Sequence, residues 1–124
     1  MFLGDKSCDT IDINATLANN DTITSPGWPG RYENNLNCTT ILTVELDERV
    51  KLVFSAFSVE NWNYTNCQYD YVEIIDGLSS NKYCGTAIPP AMTSETNQLI
   101  IRFISDYSGT DIGFVATYQK VNRE

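Results

Sequence analysis

Apolar and polar residues alternate along five segments of this 124-residue chain. A period of two is typical of β-strands, because successive side chains point to opposite faces of a sheet. The pattern therefore predicts a strand in each segment. The residues that share one face, segment by segment, are Cys38, Leu42, Val44 and Leu46; Val50, Leu52, Phe54 and Ala56; Val72 and Ile74; Leu99, Ile101 and Phe103; and Phe114, Ala116 and Tyr118.

Residues typical of turns separate these segments. They are Ser25-Pro26-Gly27, Asp47-Glu48, Asp76-Gly77, Ile88-Pro89-Pro90 and Ser108-Gly109. No segment shows the period and end caps of an amphipathic helix. Many short strands at this spacing predict an all-β sandwich or barrel with antiparallel strands. The length of the chain predicts a single domain.

Charge and composition narrow the classes of function. The chain carries 16 acidic and 8 basic residues, for a net charge of −8, and no histidine. Nucleic acid and anionic membrane surfaces would repel it, whereas basic protein surfaces and divalent cations would attract it. A hydrolase built on Glu60 and Asp70 is conceivable, but the commonest general base is missing and there is no G-x-S-x-G motif. We therefore predict a binding protein and not an enzyme.

Cysteines and glycosylation sequons predict an extracellular location. The four cysteines are widely spaced and lack the close pairs of a zinc site. Four cysteines can form disulfides in three ways, and the sequence alone does not choose among them. Four N-x-[ST] sequons accompany them, and together these features favour secretion. No apolar run is long enough to cross a bilayer, so membrane attachment would come only through a larger parent protein. The cysteines are Cys8, Cys38, Cys67 and Cys84, and the candidate glycosylation sites are Asn14, Asn20, Asn37 and Asn63.

Three acidic residues flank the predicted strands: Glu60, Asp70 and Asp106. Strand ends gather at one end of an antiparallel sandwich, so these carboxylates could meet there. Clustered carboxylates repel one another unless a cation joins them, and Ca²⁺ suits flexible sites built from oxygen ligands. Spacing alone, however, favours the alternative of a solvated acidic surface.

Several motifs together resemble the CUB domain family. The motifs are CQYDYVEIIDG at 67–77, KYCG at 82–85, SPGWPGRY at 25–32, NQLIIRFISD at 97–106 and GFVATY at 113–118. The resemblance extends from Cys8 to about Tyr118. It implies a jelly-roll-like sandwich of two antiparallel sheets with disulfides Cys8–Cys38 and Cys67–Cys84. It also implies one domain over 8–120, after an N-terminal extension or cloning remnant at 1–7 and before a tail at 121–124.

The same resemblance implies a calcium site. Many CUB domains bind Ca²⁺ through a Tyr, a Glu and two Asp, with loop oxygens after the second Asp. These positions fall on Tyr32, Glu60, Asp70 and Asp106, with the carbonyl of Ser108 as a further ligand. Tyr32 is expected to orient a ligand, through a hydrogen bond to Glu60, or to reach the ion through water. Two positions depart from the family pattern: Gly109 replaces a ligating Asn, and Thr40 replaces a common Trp.

The resemblance further implies a partner that presents a Lys or Arg to the calcium-site carboxylates. We expect this basic side chain to dock against Glu60, Asp70 and Asp106 through charge-assisted hydrogen bonds. Three neighbouring aromatic residues could pack its aliphatic stem: Trp62, Tyr64 and Tyr107. The alternative is a CUB module that binds a glycan or another ligand without calcium. The sequence specifies neither the parent protein nor the oligomeric state.

Overall fold

The computed structural model describes residues 6–8, 10–14, 21–59, 67, 69–106 and 109–122. Within these ranges the chain is all-β, and no helix there is long and apolar enough to cross a membrane. The strands are β1 (Lys6–Ser7), β2 (Ile11–Asn14), β3 (Asp21–Thr24), β4 (Leu36–Thr43), β5 (Glu48–Ser58), β6 (Tyr71–Asp76), β7 (Ser79–Tyr83), β8 (Met92–Thr93), β9 (Gln98–Ile104) and β10 (Gly113–Asn122).

The strands form two sheets, which confirms the predicted sandwich. The first sheet has the order β1-β4-β9-β6-β7, with β2 also paired to β4. The second has the order β3-β10-β5-β8. The first described strand begins at Lys6, and the last ends at Asn122. The domain limits of 8 and 120 remain predictions.

One part of the first sheet is not antiparallel. Strands β1 and β2 run parallel to β4, with Lys6 opposite Leu36 and Ile11 opposite Thr40. Parallel strands need a long crossover connection. Here the crossover passes through β3 in the other sheet before the chain returns to β4. The predicted antiparallel pairing is found for the other strand pairs, and this edge of the first sheet is parallel.

Both implied disulfides are present, Cys8–Cys38 and Cys67–Cys84. The first joins the segment between β1 and β2 to β4, and the backbone amide of Cys8 also donates to the carbonyl of Asn37 at 3.2 Å. The second joins the approach to β6 to the residue that follows β7. The two bonds thus fix the opposite sides of the first sheet.

The core follows the predicted alternation in β6, β9 and β10. The predicted inward residues of these strands are all buried: Val72 and Ile74; Leu99, Ile101 and Phe103; and Phe114, Ala116 and Tyr118. Aromatic rings fill the space between the sheets, and Phe114 packs edge-to-face against Phe54 and Phe103 with ring centroids 5.8 and 5.6 Å apart. This geometry is the preferred one for buried aromatic pairs.

The alternation breaks in β5, where a β-bulge changes the inward face. Val115 of β10 pairs with Ala56, but the next residue, Ala116, pairs with Phe54, so Ser55 is an extra residue. A bulge of this kind reverses which side chains face the core. Phe57 is consequently buried, whereas Ala56, predicted to share the face of Phe54, is only half-buried.

Leu46 also departs from the predicted pattern. It was expected to share a face with Leu42 and Val44, but its side chain is 80% exposed. Strand β4 ends at Thr43, and a turn closed by the Glu48 amide and the Glu45 carbonyl carries Leu46 out of the sheet. The alternation simply extended past the end of the strand.

Close contact between Ser25 and Gly113 holds the loop after β3 against β10. The Ser25 hydroxyl accepts a hydrogen bond from the Phe114 amide at 3.0 Å, and Ser25 is fully buried. Gly113 has a φ of 94°, and a Cβ at this position would overlap the hydroxyl and lie 2.7 Å from the Cβ of Ser25. This position therefore requires glycine for both backbone conformation and space.

We expect Gly113→Ala to destabilise the fold more than Gly85→Ala. Both glycines have positive φ, but a Cβ at Gly85 would meet no atom within 4 Å. Gly85→Ala should cost about 1–2 kcal/mol for the left-handed conformation alone. Gly113→Ala should cost about 1–3 kcal/mol more because of the overlap with Ser25. Urea unfolding measures both, and equal losses would contradict the steric argument.

Candidate functional site

The pairing of β6 with β9 brings two predicted site residues together at one end of the sandwich. Tyr71 lies opposite Ile104 in this antiparallel pair. Asp70 immediately precedes β6 and Asp106 follows β9 by two residues, so both lie just beyond the paired strands. Tyr32 approaches from the loop between β3 and β4. The site thus combines three segments that are distant in sequence.

The carboxylate of Asp70 is the centre of this arrangement. Its side chain is 0% exposed. The hydroxyl of Tyr32 donates to Asp70 Oδ2 at 2.6 Å, and the backbone amide of Asp106 donates to Asp70 Oδ1 at 2.8 Å. Tyr32 is itself buried, with its ring edge-to-face against Phe103 at 4.8 Å between centroids. Both oxygens of Asp70 are therefore held in fixed directions.

Burial makes the ionised form of Asp70 costly. It raises the pKa of this carboxyl from its ordinary value of 3.8 to about 7, and the negative charge of Asp106 adds to the shift. The hydrogen bonds from Tyr32 and the Asp106 amide act in the opposite direction but are outweighed. A carboxylate has about four acceptor positions, so both oxygens keep capacity for another positive partner. A cation is the partner that would favour the ionised form.

The chain around Asp106 is anchored to the loop before β4. The Asn35 amide donates to the Asp106 carbonyl at 2.7 Å. Ser105, which is buried, donates through its hydroxyl to the Glu33 carbonyl at 2.8 Å and accepts from the Leu36 amide at 2.9 Å. Asn35 has a φ of 61°, a left-handed conformation that Asn tolerates better than most residues. These bonds fix the direction in which Asp106 leaves β9.

A third segment completes the frame of the site. The Tyr32 amide donates to the Asp111 carbonyl at 3.1 Å, and the Arg31 guanidinium donates to the Thr110 carbonyl. An open depression of about 420 Å³ lies between these loops and is lined by Tyr32, Glu33, Asn34, Asn35 and Thr110. The Tyr32 side of the site thus borders a surface that solvent or a partner can reach.

The structure brings together Tyr32, Asp70 and Asp106 of the predicted site. The observed acceptor for the Tyr32 hydroxyl is Asp70, whereas the sequence suggested Glu60 or a water-mediated contact. No cluster of three Asp, Glu, Cys or His side chains suited to a metal occurs among the described residues. The remaining predicted ligands and partner-binding residues lie outside those residues: Glu60, Ser108, Trp62, Tyr64 and Tyr107.

The candidate glycosylation sites divide in the same way. Asn14 in β2 and Asn37 in β4 are exposed, as attachment of a glycan requires. Asn20 and Asn63 lie outside the described residues. Attachment at all four sequons remains a prediction.

Sequence reasoning missed the part played by Ser105 and by the Asp106 backbone. The Ser105 hydroxyl bridges Glu33 in the loop and Leu36 at the start of β4. The backbone amide of Asp106 donates to Asp70, in addition to the carboxylate that Asp106 contributes. The available signal was a serine directly before an acidic residue at the end of an apolar strand. A short polar side chain there can hydrogen-bond nearby backbone groups.

Comparison with known proteins identifies the family. The family model of the CUB domain matches residues 8–118, and the chain therefore belongs to the CUB family. Mouse Tolloid-like protein 2 is 36% identical over 118 residues, which cover 91% of this chain but 12% of that protein. The chain thus spans a small part of this curated relative.

Solved structures agree with this assignment. The MASP-1 CUB2 domain bound to Ca²⁺ is 28% identical, with a TM-score of 0.78, and the match covers 92% of this chain and 99% of that one. The full extracellular region of zebrafish Gpr126/Adgrg6 is 27% identical, with a TM-score of 0.80, over 94% of this chain and 15% of that one.

We expect the calcium-free protein to lose stability as pH rises toward neutrality. Asp70 binds its proton more tightly in the folded state, so its contribution is complete below about pH 4 and is lost as pH rises through about 7. Each unit of pKa difference corresponds to about 1.4 kcal/mol, so the loss is on the order of a few kcal/mol. Urea unfolding in EDTA between pH 4 and 8 measures it.

Asp70→Asn is the matched variant for this measurement. The amide has nearly the same shape as the carboxyl but does not titrate. The difference between the unfolding free energies of the two proteins therefore gives the pH-dependent contribution of Asp70 alone. The native protein should lose more stability than the variant over this pH interval. Parallel pH profiles for the two proteins would contradict the raised pKa.

Proposed function

We propose that this CUB domain is an extracellular, calcium-dependent protein-recognition module without catalytic activity. The observation that carries the proposal is the buried carboxylate of Asp70, fixed between the Tyr32 hydroxyl and the Asp106 amide, with a pKa of about 7. Such a group is prepared to receive a cation and is poorly stabilised without one. The disulfides and the extracellular region matched in zebrafish Gpr126/Adgrg6 support the location.

The donor set fits a hard divalent cation. Asp70 and Asp106 offer carboxylate oxygens, and the resemblance adds Glu60 and the carbonyl of Ser108, with Tyr32 orienting Asp70. Ca²⁺ takes six to eight oxygen ligands in flexible geometry, so waters would supply the rest. The ion would compensate the charge of Asp70 and hold the loops around it in one arrangement. The Ca²⁺-bound MASP-1 CUB2 domain supports this choice of ion.

The partner proposed for this site is an extracellular protein that presents a Lys or Arg. Its basic group would dock against the carboxylates of Glu60, Asp70 and Asp106, and the net charge of −8 would favour its approach. Calcium would preorganise these acceptors, which lowers the entropic cost of binding. Trp62 and Tyr64 follow Glu60 closely in the sequence, and Tyr107 follows Asp106. These three aromatic residues are proposed to pack the aliphatic stem.

We expect Ca²⁺ to raise the melting temperature of the domain. At 100 times its Kd, a ligand that binds only the folded state adds about 2.7 kcal/mol, which for a domain of this size is a shift of about 10 °C. Asp106→Asn should remove most of the shift because it deletes a ligand charge. Differential scanning calorimetry with calcium and with EDTA measures both proteins.

Asp47→Asn is the control for this loss of charge. Asp47 is exposed in the turn between β4 and β5, at the other end of the sandwich, and its substitution should leave the calcium shift intact. An unchanged melting temperature of the native protein in calcium would contradict the calcium site. An equal loss of the shift in both variants would indicate a nonspecific effect of net charge.

We expect a blocked lysine, Nα-acetyl-lysine amide, to bind at this site only in the presence of calcium. In an NMR titration, saturable shifts should appear at the amides of Asn35 and Asp106 with calcium and should vanish in EDTA. Nα-acetyl-norleucine amide, which lacks the charge, should cause none there. Shifts at these amides that persist in EDTA would contradict calcium-dependent recognition.

A further inference from the structure

The inward face of β7 is polar at the end of the sandwich opposite Asp70. Ile74, which is buried, lies opposite Asn81, and Asp76 lies opposite Ser79. Directly opposed residues project to the same face of a sheet. Asn81, Ser79 and Asp76 therefore face the space between the two sheets. Asp76, which the sequence indicated as a simple turn residue, is the last residue of β6.

A cleft of about 230 Å³ opens between the sheets at this edge. Its apolar wall includes Ile74, Met92 and Leu99, and its polar wall includes Asp76, Asn81 and Glu95. Mixed lining of this kind, with a few polar groups converging on an apolar recess, is typical of ligand sites. The six residues of β6 separate this cleft from Asp70 by about 20 Å.

One carboxylate oxygen in the cleft has no hydrogen-bond partner in the part of the chain that the structure describes. Asp76 Oδ2 accepts a hydrogen bond from the Glu95 amide at 2.8 Å. Asp76 Oδ1 is buried and accepts none from the described residues. A buried carboxylate oxygen without a hydrogen-bond donor is unfavourable and rare in native proteins. The cleft thus contains an acceptor that a cationic ligand would satisfy.

The shape and chemistry of the cleft favour an ammonium group on an aliphatic stem. A metal ion would use the oxygens but leave the apolar wall uncovered, and two carboxylates provide few ligands for it. The planar fork of arginine binds a carboxylate best through both oxygens, and the Glu95 amide already occupies one of the two acceptor positions of Asp76 Oδ2. An ammonium is a point charge and needs only one of the oxygens.

Access to the inner oxygen requires a small rearrangement. Asp76 Oδ1 has almost no surface exposed to solvent, so an ammonium contacts it directly only when a side chain at the mouth of the cleft turns aside. Ser79, which lies opposite Asp76, and Glu95 both line the cleft and are exposed. Glu95 also places a second negative charge at the mouth.

We propose that this cleft is a second, calcium-independent site for a lysine side chain of a partner protein. The ammonium lies between the carboxylates of Asp76 and Glu95, and the stem of the lysine packs on Ile74, Met92 and Leu99. The domain would then contact basic partners at both ends of the sandwich. This site does not depend on the calcium site, because it shares no residue with it.

The test is an NMR titration of the whole chain with Nα-acetyl-lysine amide in EDTA, where the calcium site cannot contribute. Saturable shifts are expected at the amides of Asp76, Asn81 and Glu95. Asp76→Asn, which keeps an oxygen for the Glu95 amide, and Glu95→Gln should each weaken binding about tenfold, the loss of one charged hydrogen bond. Asp47→Asn should bind as the native protein does.

The uncharged and arginine analogues complete the experiment. Nα-acetyl-norleucine amide should not bind in the cleft, and Nα-acetyl-arginine amide should bind more weakly than the lysine probe. Absence of saturable shifts in EDTA, shifts confined to the Asp106 end, or equal binding of either analogue would overturn the proposal. Because calcium is removed throughout, the first and third of these results concern the cleft alone, and only shifts at the Asp106 end would also contradict the calcium-dependent site. Glu95 is exposed, so its variant should fold even if the Asp76 variant does not.

Discussion

The burial of one carboxylate governs the end of this sandwich. Asp70 accepts hydrogen bonds from a tyrosine that precedes β4 and from the backbone that follows β9, so a single side chain joins three separate segments. Its desolvation raises its pKa, which shows that the two hydrogen bonds do not fully replace water. The loops at this end are therefore organised around an acceptor that favours a positive partner. Ser105 and Asn35 hold the surrounding backbone in place for it.

The alternation of apolar and polar side chains predicted the inward faces of the strands that pair regularly. It failed at the bulge in β5 and beyond the end of β4. Strands β6 and β9 keep the predicted faces because they pair in regular register with each other and β9 also with β4. Strand β10 keeps its predicted face because the extra residue of the bulge lies in its partner, β5. The face of β5 changes at Ser55, and that bulge depends on its register with β10, which the β5 sequence alone does not contain. Leu46 fits the apolar alternation although β4 ends at Thr43. The alternation alone does not show where a strand ends.

The candidate site was predictable only in part. Spacing along the chain could not bring Asp70 to Asp106, since their contact depends on the pairing of β6 with β9; the family motifs supplied that relation. The hydrogen bond from Tyr32 to Asp70 depends on loop geometry and was expected at another carboxylate. Asp76 was read as a turn residue because its position beside Gly77 is typical of a hairpin. Asp76 faces inward because it lies two residues after Ile74, and alternate residues of a strand share a face.

The outer edge of the first sheet has a consequence for self-association. Strand β7 ends the order of that sheet, is five residues long, and exposes Ser79, Ser80, Asn81 and Lys82. Lys82 also lies over the ring of Tyr71, 4.4 Å from its centre, so a charged group covers the neighbouring strand. Short, polar and charged border strands discourage the addition of a foreign strand. Copies of this module that meet at the β7 edge should therefore touch through side chains and should not extend the sheet from one molecule into the next.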